Sequence, residues 1–231
     1  MSSHIIVALD VDTRQEALQL VRRLGPAAGH YKVGLQLLTL AGPDLVRELV
    51  GMGKQVFLDL KLHEIPNSVA AAVRAAAQLG AGMVSVHASA GSAVLRAAAE
   101  QARSVGGIRV LALTVITSLR DDDLPEIGLA PSVREQVCRL ARLASAQGCD
   151  GVIASAQEAR WLAQQLPARS LIVTPGIQLA GLGGHDQSRV ATPRDACDAG
   201  ATHVVVGRAI TQAPDPAQAF ARACADFAQP D

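Results

Sequence analysis

The sequence has no surplus of either charge: 21 basic residues are balanced by 21 acidic ones, and the pI is near 7.0. No basic field is therefore available to attract nucleic acid or an anionic membrane surface. No apolar run approaches the ~20 residues needed to span a bilayer. The opening segment MSSHIIVALD has no basic flank and reaches a charge at Asp10, so neither a membrane segment nor a secretory leader is expected. Cysteine is sparse. Cys138, Cys149, Cys197 and Cys224 stand far apart with no C-x-x-C pair, which argues against a zinc site or a disulfide framework and fits a reducing cytoplasm. Aromatic residues make up 2% of the chain, no G-x-G-x-x-G fingerprint occurs, and no linker or shift in composition divides it. Residues 1–231 read as one domain.

What the chain does have is apolar content, 49% of 231 residues, too much for disorder and enough for a substantial core. Short β-rich apolar runs alternate with Ala- and Leu-rich amphipathic segments from end to end. The runs cover residues 4–10, 31–34, 55–60, 83–87, 109–116, 151–154, 171–174 and 203–207. Most are apolar at every position, the pattern of a strand covered on both faces in a parallel sheet. Helices are expected over residues 14–24, 41–51, 67–79, 92–104, 132–147, 157–165, 193–199 and 216–227. Asp12-Thr13 precedes the first, Pro43 lies in an early turn of the second, and Gly25, Gly53 and Gly80 follow helical ends. Eight parallel strands, each with a following helix, predict a single-domain (β/α)8 TIM barrel. An open doubly wound sheet is the alternative, disfavoured by the missing glycine fingerprint.

In such a barrel, side chains at the C-terminal ends of strands face the catalytic mouth. Here nearly every strand end carries a polar group: Asp10, Lys32, Asp59 and Lys61, His87, Thr114 and Thr117, Ser155, then Gly207-Arg208. The densest cluster is Asp59-Leu60-Lys61-Leu62-His63-Glu64-Ile65-Pro66-Asn67. At a period of two, Asp59 and Lys61 project to the same side of an extended segment, Glu64 follows in the loop, and Pro66 opens a helix. With Lys32 from the neighbouring strand, two ammonium groups and two carboxylates meet. An ion-pair network filling the barrel end is one reading and a reactive site the other. Four charges at apolar strand ends favour the second, because burial of a charge requires an opposite charge or a ligand. Separately, Thr174-Pro175-Gly176-Ile177 opens a glycine-rich stretch through Gly181, Gly183 and Gly184 to Gln187, and Val206-Gly207-Arg208 follows the last strand. Loops after strands seven and eight of barrels commonly hold a phosphate. Turn-making glycines and a solvated Arg208 are the plainer explanation of each half alone.

These motifs together make the chain resemble the orotidine 5′-phosphate decarboxylases. The likeness covers essentially the whole length. It rests on Val7-Ala8-Leu9-Asp10, Tyr31-Lys32-Val33-Gly34, Asp59-Leu60-Lys61 with Ile65-Pro66-Asn67, and Thr114-Val115-Ile116-Thr117-Ser118. It continues through Thr174-Pro175-Gly176-Ile177, Asp186-Gln187 and Val205-Val206-Gly207-Arg208. The resemblance implies a cytoplasmic enzyme that converts orotidine 5′-monophosphate to UMP without cofactor or metal. It implies that Asp10 binds ribose hydroxyls and Lys32 links ribose to the two carboxylates. Asp59 would face the substrate carboxylate, and Lys61 would be the general acid toward C6. Glu64 would reach the neighbouring subunit's site in a homodimer, with Ser68 close to it. Thr117 would contact the pyrimidine, and Gln187, Gly207 and Arg208 would hold the phosphate. Two positions depart from the family pattern: Glu64 stands where Asp is usual, and Gln178 where Arg is usual, so Gln178 would serve as a neutral phosphate donor. Residues 180–187 are the expected lid.

Two rival functions remain open on sequence. The metal-dependent hexulose-phosphate synthases and keto-gulonate-phosphate decarboxylases share an Asp-x-Lys-x-x-acid motif, but Lys32 would repel a divalent ion there. A nucleotide-binding pseudoenzyme is the second. Elsewhere, His63 and His87 are expected to make structural hydrogen bonds, Trp161 to pack on its helix, and Arg120-Asp121-Asp122-Asp123 to form a solvated loop.

Overall fold

The structure, a computed structural model, describes residues 4–179 and 191–228. Eight parallel strands close into a barrel in sequence order: β1 (Ile5–Ala8), β2 (His30–Gly34), β3 (Gln55–Leu62), β4 (Met83–His87), β5 (Arg109–Leu113), β6 (Gly151–Ile153), β7 (Leu171–Thr174) and β8 (His203–Val206). β1 pairs with both β2 and β8, so the open-sheet alternative is excluded. The ring is wrapped by α1 (Arg14–Leu24), α2 (Leu35–Ala41), α3 (Asp44–Gly51), α4 (Pro66–Gln78), α5 (Ser92–Val105), α6 (Val133–Ala146), α7 (Ala156–Gln165), α8 (Pro193–Asp198), α9 (Arg208–Thr211) and α10 (Pro216–Phe227). Among the described residues no helix is long and apolar enough to cross a membrane. All four cysteines are free thiols.

The all-apolar strands have the cause their pattern implies. Ile5 and Val7, Val56 and Leu58, Val84 and Val86, Val204 and Val206 face the helices in one large aliphatic layer. The alternate residues Ile6, Ala8, Phe57, Met83, Leu111, Leu113, Ile153, Val173 and Val205 fill the barrel interior as a second cluster. Each such side chain, when fully buried, contributes ~1.5–3 kcal/mol relative to exposure. Against this background, the inward positions occupied by Lys32 and Asp59 are the costly exceptions, and they lie at the C-terminal mouth.

The local boundaries differ from expectation in several places: β1 ends at Ala8 and not at Asp10, β3 runs on to Leu62, and α9 was not expected. The helix expected over residues 41–51 begins only at Asp44, as α3 with Pro43 as its N-cap, and a helix not expected from sequence, α2, precedes it and ends before Gly42, whose φ of 71° is left-handed. The strand expected over residues 109–116 stops at Leu113; Thr114 beyond it is still tied to β6, its amide and its Oγ1 both donating to the Ile153 carbonyl, at 3.2 and 2.9 Å. The segment expected as a solvated loop after Arg120 is a 3₁₀ helix, Asp121–Ile127. It is pinned by Arg120 N donating to Asp123 (2.7 Å) and Val133 N donating to Asp121 (2.7 Å). α1 begins as its sequence indicated, with a reciprocal capping box between Thr13 and Glu16.

Candidate active site

β3 does not run straight to the site. Its pairing with β4 joins Phe57 to Met83 and Leu58 to Val84, then resumes only at Leu62 with Val86. Asp59, Leu60 and Lys61 therefore all stand opposite Ser85, a bulge in β3. Lys61 takes φ 49°, the one positive φ at a non-glycine residue among those described. A left-handed backbone at a side chain of this size is strain that surrounding contacts must hold, and such strain concentrates at functional sites. Asp59 and Lys61 do share a side, as expected, but through this bulge and not through regular alternation.

The result is a row of alternating charge. Lys32 Nζ donates to Asp10 Oδ1 at 3.0 Å and lies 3.8 Å from Asp59 Oδ2. Lys61 Nζ donates to the same Asp59 Oδ2 at 2.8 Å. The Lys32 and Asp59 side chains are only 12% and 11% exposed, whereas Lys61 and Asp10 are 37% and 56% exposed, so the row has a largely desolvated centre and solvated ends. Gly34 supports it by absence: a Cβ there would stand 3.2 Å from Lys32 Nζ. The second acid of the row is Asp10, not Glu64.

These groups form one wall of a cavity of about 290 Å³. Its floor is apolar, with Phe57, Leu113, Ile153 and Val205; Thr117, Gln178, Gly207 and Arg208 also line it, Gly207 standing next to Asp10. Of the residues singled out from sequence, Asp10, Lys32, Asp59, Lys61, Thr117, Gln178, Gly207 and Arg208 thus line one space. Gln187 and the expected lid fall outside the described residues. Glu64 and Ser68 do not line this chain's cavity. Glu64 is exposed on the rim, where the Ile65 amide donates to its Oε1 at 2.9 Å. That bond, and then the Ser68 hydroxyl, hold its carboxyl below the usual range and so ionised at neutral pH. Beside it, Ile65 is 61% exposed, a large apolar side chain facing outward.

A family model described as orotidine 5′-phosphate decarboxylase / HUMPS family matches residues 3–223. The chain belongs to this family. A relative from Vibrio campbellii, named orotidine 5′-phosphate decarboxylase, is 49% identical over 215 residues, 92% of each chain. Another of that name from Pseudoalteromonas translucida is 45% identical over 223 residues, 95% of each. Among solved structures, the orotidine 5′-phosphate decarboxylase from Lactobacillus acidophilus aligns with a TM-score of 0.88 at 36% identity, covering 98% of this chain and 99% of that one. The one from Pyrococcus horikoshii aligns at 0.78 and 25% identity, over 96% and 98%. Family membership thus coincides with a barrel whose polar residues converge at the expected end.

Other singled-out residues have local roles. His63 stacks on His87 with ring centroids 5.2 Å apart, and His87 Nδ1 meets the Ser89 hydroxyl at 2.5 Å. His87 is half-buried rather than a core residue, and burial, then His63 and Lys61, push its pKa down. Ser155 is buried and caps α7 through Glu158. Trp161 packs on its helix under the Arg134 guanidinium, 4.0 Å from the ring centre. One buried polar residue in contact with the charged row was missed from sequence: Ser85. Its signal was faint, a lone hydroxyl in the strand MVSVH at the inward parity shared with Met83.

Proposed function

We propose that this protein removes CO2 from orotidine 5′-monophosphate to give UMP, with Lys61 as the proton donor to C6. As a member of this family, with curated relatives named orotidine 5′-phosphate decarboxylase at 45–49% identity, the chain is a carboxy-lyase. The observation that carries the reading is the row Asp10–Lys32–Asp59–Lys61 over an apolar floor. When the C6–carboxylate bond breaks, its electron pair stays on C6, where no carbonyl delocalises it. A fixed ammonium at Lys61 stabilises that charge and then transfers a proton to the carbon, Lys61 regaining its proton from water. Asp59 holds the Lys61 ammonium in place, and its second role is to oppose the substrate carboxylate. The neutral CO2 suits a floor of Phe57, Leu113, Ile153 and Val205. Asp10 and Lys32 bind ribose hydroxyls, Thr117 the pyrimidine, and Gln178, Gln187, Gly207 and Arg208 the phosphate, whose binding energy far from C6 positions the base.

We further propose that the working unit is a cytoplasmic homodimer in which Glu64, steadied by Ser68, completes the partner's row of charges. Supporting this are its ionised, outward placement beside Ile65 and the exposure of Leu35 and Leu40, 58% and 61%, on α2. The metal-dependent branch of the family is the second reading. Lys32 opposes it, because an ammonium between Asp10 and Asp59 occupies the oxygens a divalent cation would need.

The test is decay of orotidylate absorbance with purified protein. Wild type should turn over, unaffected by a chelator. Lys61→Ala should abolish turnover while retaining UMP affinity, and Glu64→Ala should be nearly inactive. Mixing these two inactive variants should restore about a quarter of wild-type sites by random pairing of subunits. Substantial activity in Lys61→Ala would remove that residue from its role; no recovery on mixing would return Glu64 to its own chain.

A further inference from the structure

We propose that Ser85 is a positioning residue for the Asp59–Lys61 pair, acting on both members at once. This rests on the function assigned above to Lys61. Ser85 lies mid-way along β4, wholly buried, its side chain turned inward with Met83 below and His87 above. Its hydroxyl makes two bonds. It donates to Asp59 Oδ1 at 2.8 Å and accepts from the Lys61 amide at 2.8 Å.

Each bond answers a need created by the bulge. Three residues of β3 stand opposite one of β4, so the ladder cannot supply carbonyl partners for all their amides. The Lys61 N–H, carried by a left-handed residue, finds its acceptor in a side chain instead. The carboxylate of Asp59 would otherwise rotate about its Cβ–Cγ bond. With Oδ1 fixed by Ser85, Oδ2 is left facing both ammonium groups, 2.8 Å from Lys61 and 3.8 Å from Lys32. A single hydroxyl therefore fixes the backbone from which Lys61 projects and the acid against which its ammonium rests. A reacting ammonium must be held to within a fraction of an ångström, and this is the contact that sets it. Ser85 does not line the cavity, so it acts through its neighbours and not on substrate.

Ser85→Ala removes only an oxygen atom and leaves no group too large for the site. In purified variant protein, kcat for orotidylate should fall on the order of 10- to 100-fold, while KM and UMP affinity stay within about threefold. Independently of activity, hydrogen exchange at the Lys61 amide should accelerate at least about tenfold while Val84 and Phe57 stay protected. Unchanged kcat in a folded variant overturns the proposal. So does a parallel loss of kcat, UMP affinity and melting temperature, which would make Ser85 a plain structural residue. Unchanged exchange at Lys61 removes the clamp itself. A wild type inactive on orotidylate would bring down the function assigned above, and the exchange measurement would still decide whether Ser85 holds the bulge.

Discussion

The hydroxyl of Tyr31 is buried in the aliphatic layer between β2 and the helices, and among the described residues it meets no hydrogen-bond partner. Burial pushes its pKa well up, so it stays a neutral phenol. Its ring is useful, packing in the core with the Lys54 ammonium 5.9 Å from its centre. Its oxygen is not, because a buried donor without an acceptor costs ~1–3 kcal/mol. Tyr31→Phe keeps the ring and deletes the cost, so the urea midpoint should rise by the equivalent of about 1 kcal/mol, with kcat unchanged. A fall in midpoint would mean the hydroxyl is bonded in solution. The contrast with Ser85 is instructive, since both are single buried hydroxyls on the two strands that flank β3. One faces the helices and joins nothing; the other faces the mouth and joins two groups of the site.

At the level of elements, strand parity decided what could be read from sequence. The eight runs were legible because parallel strands covered on both faces are apolar throughout, and the polar breaks at Lys32 and Asp59 stood out against them. The separate helix α2 was not legible, and Pro43, read as lying in an early turn of the second helix, is instead the N-cap of α3. The β3 bulge was not legible at all: its cause is the pairing with β4, and nothing in Asp59-Leu60-Lys61 distinguishes a bulge from an alternating strand. Ser85 was missed for the same reason, since its importance comes from what stands opposite it. A comparable long-range constraint sits on β6, where Gly151 approaches β7 so closely that a Cβ would fall 2.3 Å from the Leu171 carbonyl oxygen. That neighbour is backbone and cannot yield as a side chain would. Gly151→Ala should therefore destabilise by at least about 1–3 kcal/mol, read as a lowered denaturant midpoint. It lies at the start of its strand, away from the mouth, so the folded fraction should keep wild-type KM. A neutral effect would show that β6 and β7 can part at that point.

Across the whole molecule the two ends of the barrel carry different electrostatics. The C-terminal mouth holds paired charges of both signs. At the opposite end, His30, Arg109 and His203 are the first residues of β2, β5 and β8, with His4 just before β1. His4 and His203 rings lie 5.5 Å apart, and their Nδ1 atoms are held by the Thr202 carbonyl and hydroxyl respectively. Burial first, then His4, His30 and Arg109, push the pKa of His203 down from 6.5 to about 4. Burial, Arg109 and His4 lower that of His30 as well. Both imidazoles are thus neutral in the folded protein at pH values where the unfolded chain already binds their protons, so acid favours unfolding. The stability they support is complete above about pH 6.5 and is lost progressively as pH falls toward 4. The lowered carboxyls of Glu64 and Asp195 act in the same direction but only below their ordinary values of 4.5 and 3.8. The urea midpoint should therefore decline between about pH 6.5 and pH 5 in wild type. In His203→Asn, which keeps an amide donor near the Thr202 hydroxyl oxygen but cannot titrate, the decline should be markedly shallower. An equally steep decline in that variant would assign the acid response to other groups. Because this cluster lies at the far end of the barrel from Lys61, His203→Asn should leave the pH profile of kcat in place, separating acid unfolding from the chemistry of the mouth.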